Sequence, residues 1–205
     1  LTADQLKRWN AVQKLSAADV AAANGAMDPT EIVTLEEAKY REQHRDTLQT
    51  KTWHYKATNV RDFAWGSSRK FVWDAMPEFV EGKRINCMSY YAKEAYGLYR
   101  KYSTKVVAHT IKTYSKYSTA YQYPVAISVE ASSGMEYPMI CFNYGRTDED
   151  GTYSSRTKYG MIGVIIHEVG HNFFPMIINS DERNWSWMDE GLNTFVQFLT
   201  EQEFD

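Results

Sequence analysis

Hydrophobic and polar residues follow different patterns in the two parts of this sequence. Residues 1–50 are polar, charged and rich in alanine, and they contain two capping-box patterns, Thr2 with Gln5 and Thr34 with Glu37. Such patterns predict helix starts, and the stretch AAANGAMDP between them predicts a break. We therefore expect residues 1–50 to form two helices, as an appendage or as the end of a preceding domain, or to be partly disordered.

From residue 52 the pattern becomes typical of strands. TWHYKATNVRDFAW is rich in aromatic and β-favouring residues, and FVWDAM and NCMSYYA continue in the same style, so we expect the sheet to begin here. In YPVAISVEAS, Val125, Ile127 and Val129 alternate with small or polar residues, which predicts a half-buried strand. A turn at SSGMEYP then leads into MICFN, a second expected strand, and into the acidic loop TDEDGTYSS.

Three segments have helical periodicity. LYRKYSTKVVAHTIKTYSKY predicts an amphipathic helix in which His109 is structural. YGMIGVIIHEVGHNFFP is apolar on nearly every side and predicts a buried helix, which ends near Phe173 or Phe174 because the residue before Pro175 avoids the α region. WMDEGLNTFVQFLTEQEF predicts a last helix, and its apolar residues at helical spacing are Leu192, Phe195, Val196 and Leu199.

Composition and charge narrow the class of protein. The 205 residues are 43% hydrophobic, which is enough for one sizeable core. A net charge of −3, without basic clusters beyond GSSRKF, argues against nucleic acid and anionic membranes as partners. No apolar stretch approaches the roughly 20 residues of a membrane span, and we expect a soluble protein. Cys87 and Cys141 stand far apart and are expected to be buried small residues.

The start of the chain, LTADQ, has neither Met nor an export signal. It predicts a processed protein or a fragment of a longer one. The compartment therefore stays open, with a periplasmic or secreted location in a bacterium as one option.

The motif HEVGH, residues 167–171, carries the chemistry that the sequence predicts. On a helix, His167 and His171 project from one face and can bind one ion. Two histidines and Glu168 inside an apolar helix cost several kcal/mol without partners, and a divalent cation satisfies all three. Eighteen residues separate His171 from Glu190, which opens the last predicted helix. Because catalytic zinc uses the set His, His, Glu and leaves a fourth position for water, these residues predict a catalytic zinc site.

These motifs resemble those of the gluzincin zinc metallopeptidases, in particular the relatives of aminopeptidase N and leukotriene hydrolase. HEVGH with Glu190 matches the family's HExxH followed by eighteen residues and Glu, and WMDEGLNTF resembles its W-x-x-E-G helix start. SSGMEYPMI resembles the G-x-M-E-N exopeptidase motif, with Tyr137 in place of Asn, a variant associated with bacterial members. TWHYKATNVRDFAWGSSRKF resembles the start of the catalytic domain, so the resemblance covers residues 51–205.

The resemblance implies a fold, a cofactor and roles for individual residues. The fold would be α+β, the N-terminal part of a thermolysin-like zincin core, with a small, mostly antiparallel sheet packed on two zinc-binding helices and an incomplete C-terminus. One Zn²⁺ per chain would activate water for hydrolysis. The implied site residues are His167, His171 and Glu190 as metal ligands, Glu168 as general base, and Glu136, Gly134 and Met135 in substrate binding.

The implied function is that of a zinc aminopeptidase. Glu136 would bind the free α-ammonium group of a peptide through a charge-assisted hydrogen bond, which an internal peptide bond cannot offer. The implied partners are peptides with a free N-terminus and the remaining domains of the full-length enzyme. Two alternatives stay open: a noncatalytic peptide-binding module that retains the zinc site, and an endopeptidase of thermolysin type without the Glu136 anchor.

The family also has features that this chain does not match. A tyrosine downstream of the third ligand stabilises the oxyanion in the family, and none of the fifteen tyrosines occupies that position here. Loss of an oxyanion donor costs about 10²–10³ in kcat. We therefore expect a catalytic-domain fragment that binds zinc and turns over slowly or not at all.

Two residues are candidate oxygen partners for the second N–H groups of the ligand histidines, namely Asp189 and Thr194. Other charged residues and histidines show no ligand spacing. We expect these to be surface or structural residues: Asp181, Glu182, Arg183, His44 and His54.

Overall fold

The computed structural model describes residues 1–44, residue 50 and residues 52–204, and within these ranges the chain forms one six-stranded sheet with helices packed against it. A 3₁₀ turn (Lys93–Ala95) precedes α4, and a π-helical turn (Asn172–Ile177) follows α5. The other elements, in chain order, are α1 (Ala3–Lys14), α2 (Ala17–Ala23), β1 (Thr30–Val33), α3 (Leu35–Gln43), β2 (Val72–Val80), β3 (Lys83–Tyr91), α4 (Tyr96–Tyr117), β4 (Val125–Glu130), β5 (Met135–Tyr137), β6 (Ile140–Asn143), α5 (Ser155–Gly170) and α6 (Ser186–Glu203).

The strand order of the sheet is β1-β2-β3-β4-β6-β5. The pairs β1–β2, β2–β3 and β5–β6 are antiparallel, whereas β3–β4 and β4–β6 are parallel. The architecture is therefore α+β with a mostly antiparallel sheet, as the sequence predicts, and the strands expected in YPVAISVEAS and MICFN are confirmed as β4 and β6. Among the described residues, β5 forms one edge of the sheet.

Both faces of the sheet are covered. On one face, α4 and α5 enclose the main core, in which Val106, Ile111 and Ile165 are fully buried. On the other face, α1 covers a smaller cluster that includes Val12 and Met88. The two helices of the main core, α4 and α5, are the elements that support the candidate site described below.

Both sides of β4 are covered, and the side with Ala126 and Ser128 is more buried than the apolar side that its alternation predicts. Ala126 and Ser128 face the main core and are fully buried, while Val125 and Ile127 face the smaller cluster and are half-buried. The reason is that β4 lies between two parallel neighbours, β3 and β6. Strands of parallel sheets are normally covered on both faces.

The N-terminal helices begin where the capping boxes predict. Thr2 and Gln5 bond reciprocally at the start of α1, and Thr34 and Glu37 do the same at the start of α3. The predicted break is found at Asn24, whose left-handed φ of 46° ends α2. α2 itself, which also has a capping box, was not predicted from the pattern.

The segment before residue 45 is joined to the rest of the fold through β1. β1 pairs with β2, and Arg84 of β3 donates to the carbonyls of Val12 and Leu15. Within the segment, Arg8 of α1 donates to the carbonyl of Ile32 and to both oxygens of Glu37. The division of the chain at residue 50 stays a prediction, and residues 45–49 and 51 lie outside the described ranges.

The expectation that the sheet begins at residue 52 is wrong. Residues 52–70 contain no strand in the described part of the chain, and β2 begins at Val72. Trp53 and Trp65 of this stretch are 64% and 67% exposed. β propensity reflects packing against neighbouring strands, and these aromatic residues have no such neighbours here.

Two smaller expectations are confirmed. His109 of α4 lies with its Nε2 3.0 Å from the carbonyl of Thr200, so it ties α4 to α6 as a structural residue. Cys87 and Cys141 are both buried and unbonded to each other.

In the described part of the chain, no helix combines the length and the apolar character that a bilayer crossing requires.

The helix with HEVGH ends slightly earlier than predicted. α5 stops at Gly170, and the π-helical turn follows directly. Inside that turn, Phe174 has an extended backbone with φ −129° and ψ 107°. This is the conformation that the residue before a proline prefers, so Pro175 directs the chain away from α5 as expected.

The last predicted helix is confirmed as α6, but its expected apolar face is not a buried face. Val196 is buried, whereas Leu192 and Phe195 are 46% and 62% exposed. The reason is that α6 turns a polar side toward α5, where Asn193 is fully buried.

Candidate active site

Helix α5 brings the two histidines of HEVGH together at its C-terminal end. Their Nε2 atoms are 3.0 Å apart and their ring planes are almost perpendicular, at 89°. This is the arrangement that a spacing of four residues gives on a helix. His171 is 1% exposed, so its ring depends on partners inside the protein.

Helix α6 adds a carboxylate to this pair. Glu190 Oε2 lies 3.1 Å from His167 Nε2 and 3.7 Å from His171 Nε2. Zinc in tetrahedral coordination has bonds of about 2.0–2.1 Å to N and O, which places neighbouring ligand atoms about 3.3 Å apart. The three donor atoms therefore have the mutual spacing of a zinc ligand set, and they are one of two groups in the described residues with metal-ligand proximity.

The hydrogen bonds on the far side of each ring determine which nitrogen faces the ligand set. His167 Nδ1 lies 2.9 Å from Gln197 Oε1, an amide oxygen that only accepts. His171 Nδ1 lies 2.9 Å from the carbonyl oxygen of Phe174. Each Nδ1 therefore carries the proton in the neutral ring. Three lone pairs, two from Nε2 and one from Glu190, then converge with no proton between them, which is the environment that a cation fits.

The two residues predicted as partners of the ligand histidines have different positions. Asp189 Oδ1 lies 2.9 Å from His171 Nδ1, outside hydrogen-bond direction, so it acts on that ring mainly through its charge. Burial raises the pKa of the Asp189 carboxyl, His171 opposes that rise, and Glu190 adds to it. Thr194 is exposed on α6. The ring of His167 is instead bonded by Gln197, which the sequence reading missed although it follows Glu190 by seven residues, two helical turns on the same face.

Glu168 lies beside the ligand set with one oxygen unbonded. Its side chain is buried, and Oε2 has no hydrogen-bond partner among the described residues. Burial raises the pKa of Glu168 to about 7 in the metal-free chain; His171 opposes this rise, and the carboxylates of Glu136 and Glu190 add to it. A carboxyl group with this pKa can both accept and return a proton near neutral pH.

Glu136 approaches the same place from the sheet. The sequence reading assigns it to a loop, whereas the structure places it in the edge strand β5. Glu136, Glu168 and His171 each offer a ligand atom within 4.8 Å of the others. Two carboxylates and a ring thus border one small polar space, which suits a cationic group of a bound molecule.

Gly134 and Met135, the two residues before Glu136, have different surroundings. A Cβ atom on Gly134 would lie 2.3 Å from Glu168 Oε1, so the backbone at residue 134 approaches Glu168 as only glycine allows. Met135 is 40% exposed beside it. The outer edge of β5 is unpaired in the described part of the chain, so its backbone groups are free to pair with an extended peptide.

The remaining residues that were set aside lie away from this group. Glu182 forms an ion pair with Arg61 at 2.6 Å, and His44 stacks on Tyr40. His54 is exposed. Asp181 accepts a hydrogen bond from Asn184 within its own loop.

Comparison with known proteins gives one curated relative and a set of solved structures. No model of a known protein family matches the chain. Aminopeptidase M1-A of Oryza sativa subsp. japonica is 24% identical over 131 residues, which cover 60% of this chain and 15% of the rice protein. The crystal structure of the M1 zinc metallopeptidase from Deinococcus radiodurans aligns with 65% of this chain and 28% of its own, at 13% identity and a TM-score of 0.48. The chain is thus similar in sequence to an M1 aminopeptidase and spans a small part of that relative's length.

Proposed function

We propose that this chain is part of the catalytic core of a zinc-dependent aminopeptidase, built as a thermolysin-like zincin. One observation carries the proposal. The Nε2 atoms of His167 and His171 and Oε2 of Glu190 converge at 3.0–3.7 Å, while both Nδ1 atoms face a carbonyl or amide oxygen on the other side of the ring. The similarity to an M1 aminopeptidase supports the same function.

The metal would be held by these three side chains. A bound Zn²⁺ would polarise the scissile carbonyl and lower the pKa of a water molecule to about 7. The protein's share of this work is orientation. His171 is held by the Phe174 carbonyl and His167 by Gln197, so both lone pairs stay directed at one point without the metal.

Glu168 is the residue that moves the proton. Its Oε2 atom is buried and unbonded, so it can accept a proton from the attacking water and return it to the leaving amine. The backbone of Gly134 lies close to the other oxygen, so a side chain at residue 134 would press on Glu168.

Glu136 gives the proposal its exopeptidase character. Its carboxylate borders the space that Glu168 and His171 also face, so the α-ammonium of a peptide can bind there with its first carbonyl close to the ligand set. The unpaired edge of β5 can hold the backbone of the same peptide as an added strand. The expected substrates are therefore peptides with a free N-terminus.

The test uses two variants and two substrates in the protein expressed at its full natural length. Glu168→Gln keeps the shape of the side chain and removes its ability to accept a proton. We expect one zinc per chain by mass spectrometry and a loss of hydrolysis of amino-acid anilides of at least about 10². Unchanged turnover in this variant would overturn the role of Glu168.

The second comparison separates an aminopeptidase from an endopeptidase. A free peptide should be cleaved, and its N-acetylated form should not, because acetylation removes the charge that Glu136 binds. Glu136→Gln should reduce cleavage of the free peptide alone. Equal cleavage of the two peptides would indicate an endopeptidase, and zinc binding without any cleavage would indicate a noncatalytic module.

A further inference from the structure

One side of α6 carries a strip of polar residues that faces α5. Glu190, Asn193, Gln197 and Glu201 follow one another at intervals of three, four and four residues, so they lie on one face of the helix. Glu190 belongs to the ligand set, and Gln197 bonds to His167. Asn193 donates to the carbonyl of His167, and Glu201 accepts a hydrogen bond from Gln197. The strip therefore extends the site along the interface between α5 and α6.

Gln197 has a bond at each end of its amide group. Oε1 lies 2.9 Å from His167 Nδ1, and Nε2 donates to Glu201 Oε1 at 2.8 Å. Nε2 also lies 3.4 Å from the carbonyl oxygen of Gly163. Glu201, when ionised, only accepts hydrogen bonds. The amide nitrogen must therefore face Glu201, which leaves the amide oxygen facing the ring of His167.

The orientation of the amide then determines the proton position on His167. An oxygen at Nδ1 requires the proton to be on Nδ1, so Nε2 presents its lone pair to the ligand set. A competing group lies nearby, because Asn193 Nδ2 is 3.4 Å from the same Nδ1 while donating to the His167 carbonyl at 2.9 Å. Without Gln197, this amide donor would favour a proton on Nε2, the form that cannot bind a metal.

The opposing helix provides room for this chain of bonds. A Cβ atom on Gly163 would lie 3.1 Å from Glu201 Oε1 and 3.8 Å from Gln197 Nε2. α5 therefore presents bare backbone at the point where the two side chains meet. A side chain at residue 163 would press on the Gln197–Glu201 pair.

We propose that Glu201 and Gln197 form a hydrogen-bonded relay that fixes the tautomer and ring orientation of His167 as a metal ligand. Gln197 is a positioning residue, since it acts on the metal through His167, and Glu201 acts through Gln197. The inference concerns residues outside the ligand set and rests on the proposed function for the identity of the metal. His171 has its own partners at Nδ1, the Phe174 carbonyl and Asp189, and the relay makes no bond to that side of its ring.

The first measurement is the zinc dissociation constant of the 205-residue chain by competition with a chelating dye. Gln197→Leu should weaken binding about 10–100-fold, the usual cost of losing an outer partner of a ligand histidine. Glu201→Leu should cause a smaller loss of affinity. The amide group of Gln197 can then rotate, so its oxygen faces His167 only part of the time. Thr194→Ala, on the exposed side of the same helix, is the matched control and should change nothing.

Two double variants separate a relay from general damage to the helix interface. Gln197→Leu with Glu201→Leu should bind zinc within about twofold of Gln197→Leu alone, because Glu201 has no route to the metal without Gln197. Gln197→Glu with Glu201→Gln preserves the net charge and places an acceptor oxygen opposite His167 Nδ1. This double variant should therefore bind zinc with the affinity of the wild type. Additive losses in the first pair, or no restoration in the second, would overturn the relay.

A second readout does not depend on zinc. ¹⁵N NMR of the metal-free chain, labelled at histidine, should show the proton of His167 on Nδ1 in the wild type and substantial Nε2 protonation in Gln197→Leu. His171 Nδ1, which faces the Phe174 carbonyl, serves as the internal reference and should stay protonated in both proteins. Unchanged tautomers in that variant would overturn the relay even if zinc binds. If the wild type showed the expected tautomers but bound no zinc, the proposed function would be overturned and the relay would still hold.

Discussion

Gly170, the fourth residue of HEVGH, lies against side chains of α4 and α6, and it offers a direct test of how the site is built. A Cβ atom at this position would be 2.3 Å from both Asn193 Oδ1 and the hydroxyl of Tyr114. Tyr114 donates to Asn193, and Asn193 donates to the carbonyl of His167. The glycine therefore permits a buried hydrogen-bond network that links α4, α5 and α6.

The substitution Gly170→Ala should destabilise the protein and open the ligand set. Contacts of 2.3 Å must lengthen beyond 3.0 Å, and because Asn193 is fully buried, we expect α6 to shift with it by up to about 1 Å. Overpacking costs about 1–3 kcal/mol, and two disturbed buried hydrogen bonds cost about 1 kcal/mol each. Alanine gains about 1 kcal/mol in helix propensity. The net loss should be about 2–4 kcal/mol in the free energy of unfolding.

The same movement would separate His167 from Glu190. Their ligand atoms are 3.1 Å apart, and a shift of about 1 Å exceeds the tolerance of about 0.2 Å in zinc bond lengths. Zinc affinity should therefore fall together with stability. Both are measured on the 205-residue chain, stability from the midpoint of urea unfolding at constant m and affinity by chelator competition.

Gly160 provides the matched control on the same helix. It lies within α5, and a Cβ atom there would meet nothing within 4 Å. Gly160→Ala should gain up to about 1 kcal/mol from helix propensity and leave zinc affinity unchanged. If Gly170→Ala and Gly160→Ala had the same free energy of unfolding, the close contact at Gly170 would not exist in solution.

Two further predictions concern pH and the metal. Burial raises the pKa of Asp74 to about 7 against the effects of Tyr91 and Arg100. The stability that this one group contributes is therefore fully present below about pH 4, and about 4 kcal/mol of it is lost as the pH rises through 7. Urea unfolding across this range should show that decline in the wild type and its absence in Asp74→Asn, and parallel profiles would contradict it. Zinc at 100 times its dissociation constant should stabilise the chain by about 2.7 kcal/mol and raise Tm by about 5–10 °C. EDTA or the substitution His171→Ala should remove this increase. A Tm increase that persists in His171→Ala would show that zinc binds at another site.

The sequence predicts the parts of the site that depend on local geometry. His167 and His171 are four residues apart on one helix, so their spacing brings the two rings together. Glu190 follows His171 by nineteen positions and lies near the start of the next helix, where it joins the group as predicted. The partners of the rings were harder to predict. Gln197 reaches His167 only because α5 and α6 pack at one particular distance, and no local pattern contains that distance. The Phe174 carbonyl reaches His171 through the π-helical turn after α5, which the sequence pattern does not predict either.

The fold shows the same division. Capping boxes at Thr2 and Thr34 predict two helix starts correctly, since every atom involved lies within four residues. The aromatic stretch at residues 52–70 misleads, because a strand needs a neighbour and the chain supplies none there. β1 was missed for the opposite reason: four residues, Thr30–Val33, carry little periodicity, and β2 makes them a strand.

The short length of β5 has a consequence for the breadth of the proposed activity. The strand contains three residues, Met135–Tyr137, and a three-residue edge can form only about two hydrogen bonds with a peptide laid beside it. Backbone hydrogen bonds of this kind are indifferent to side-chain identity. With Glu136 at its centre, the strand would recognise where a peptide begins, so that many unrelated peptides would be shortened from the same end.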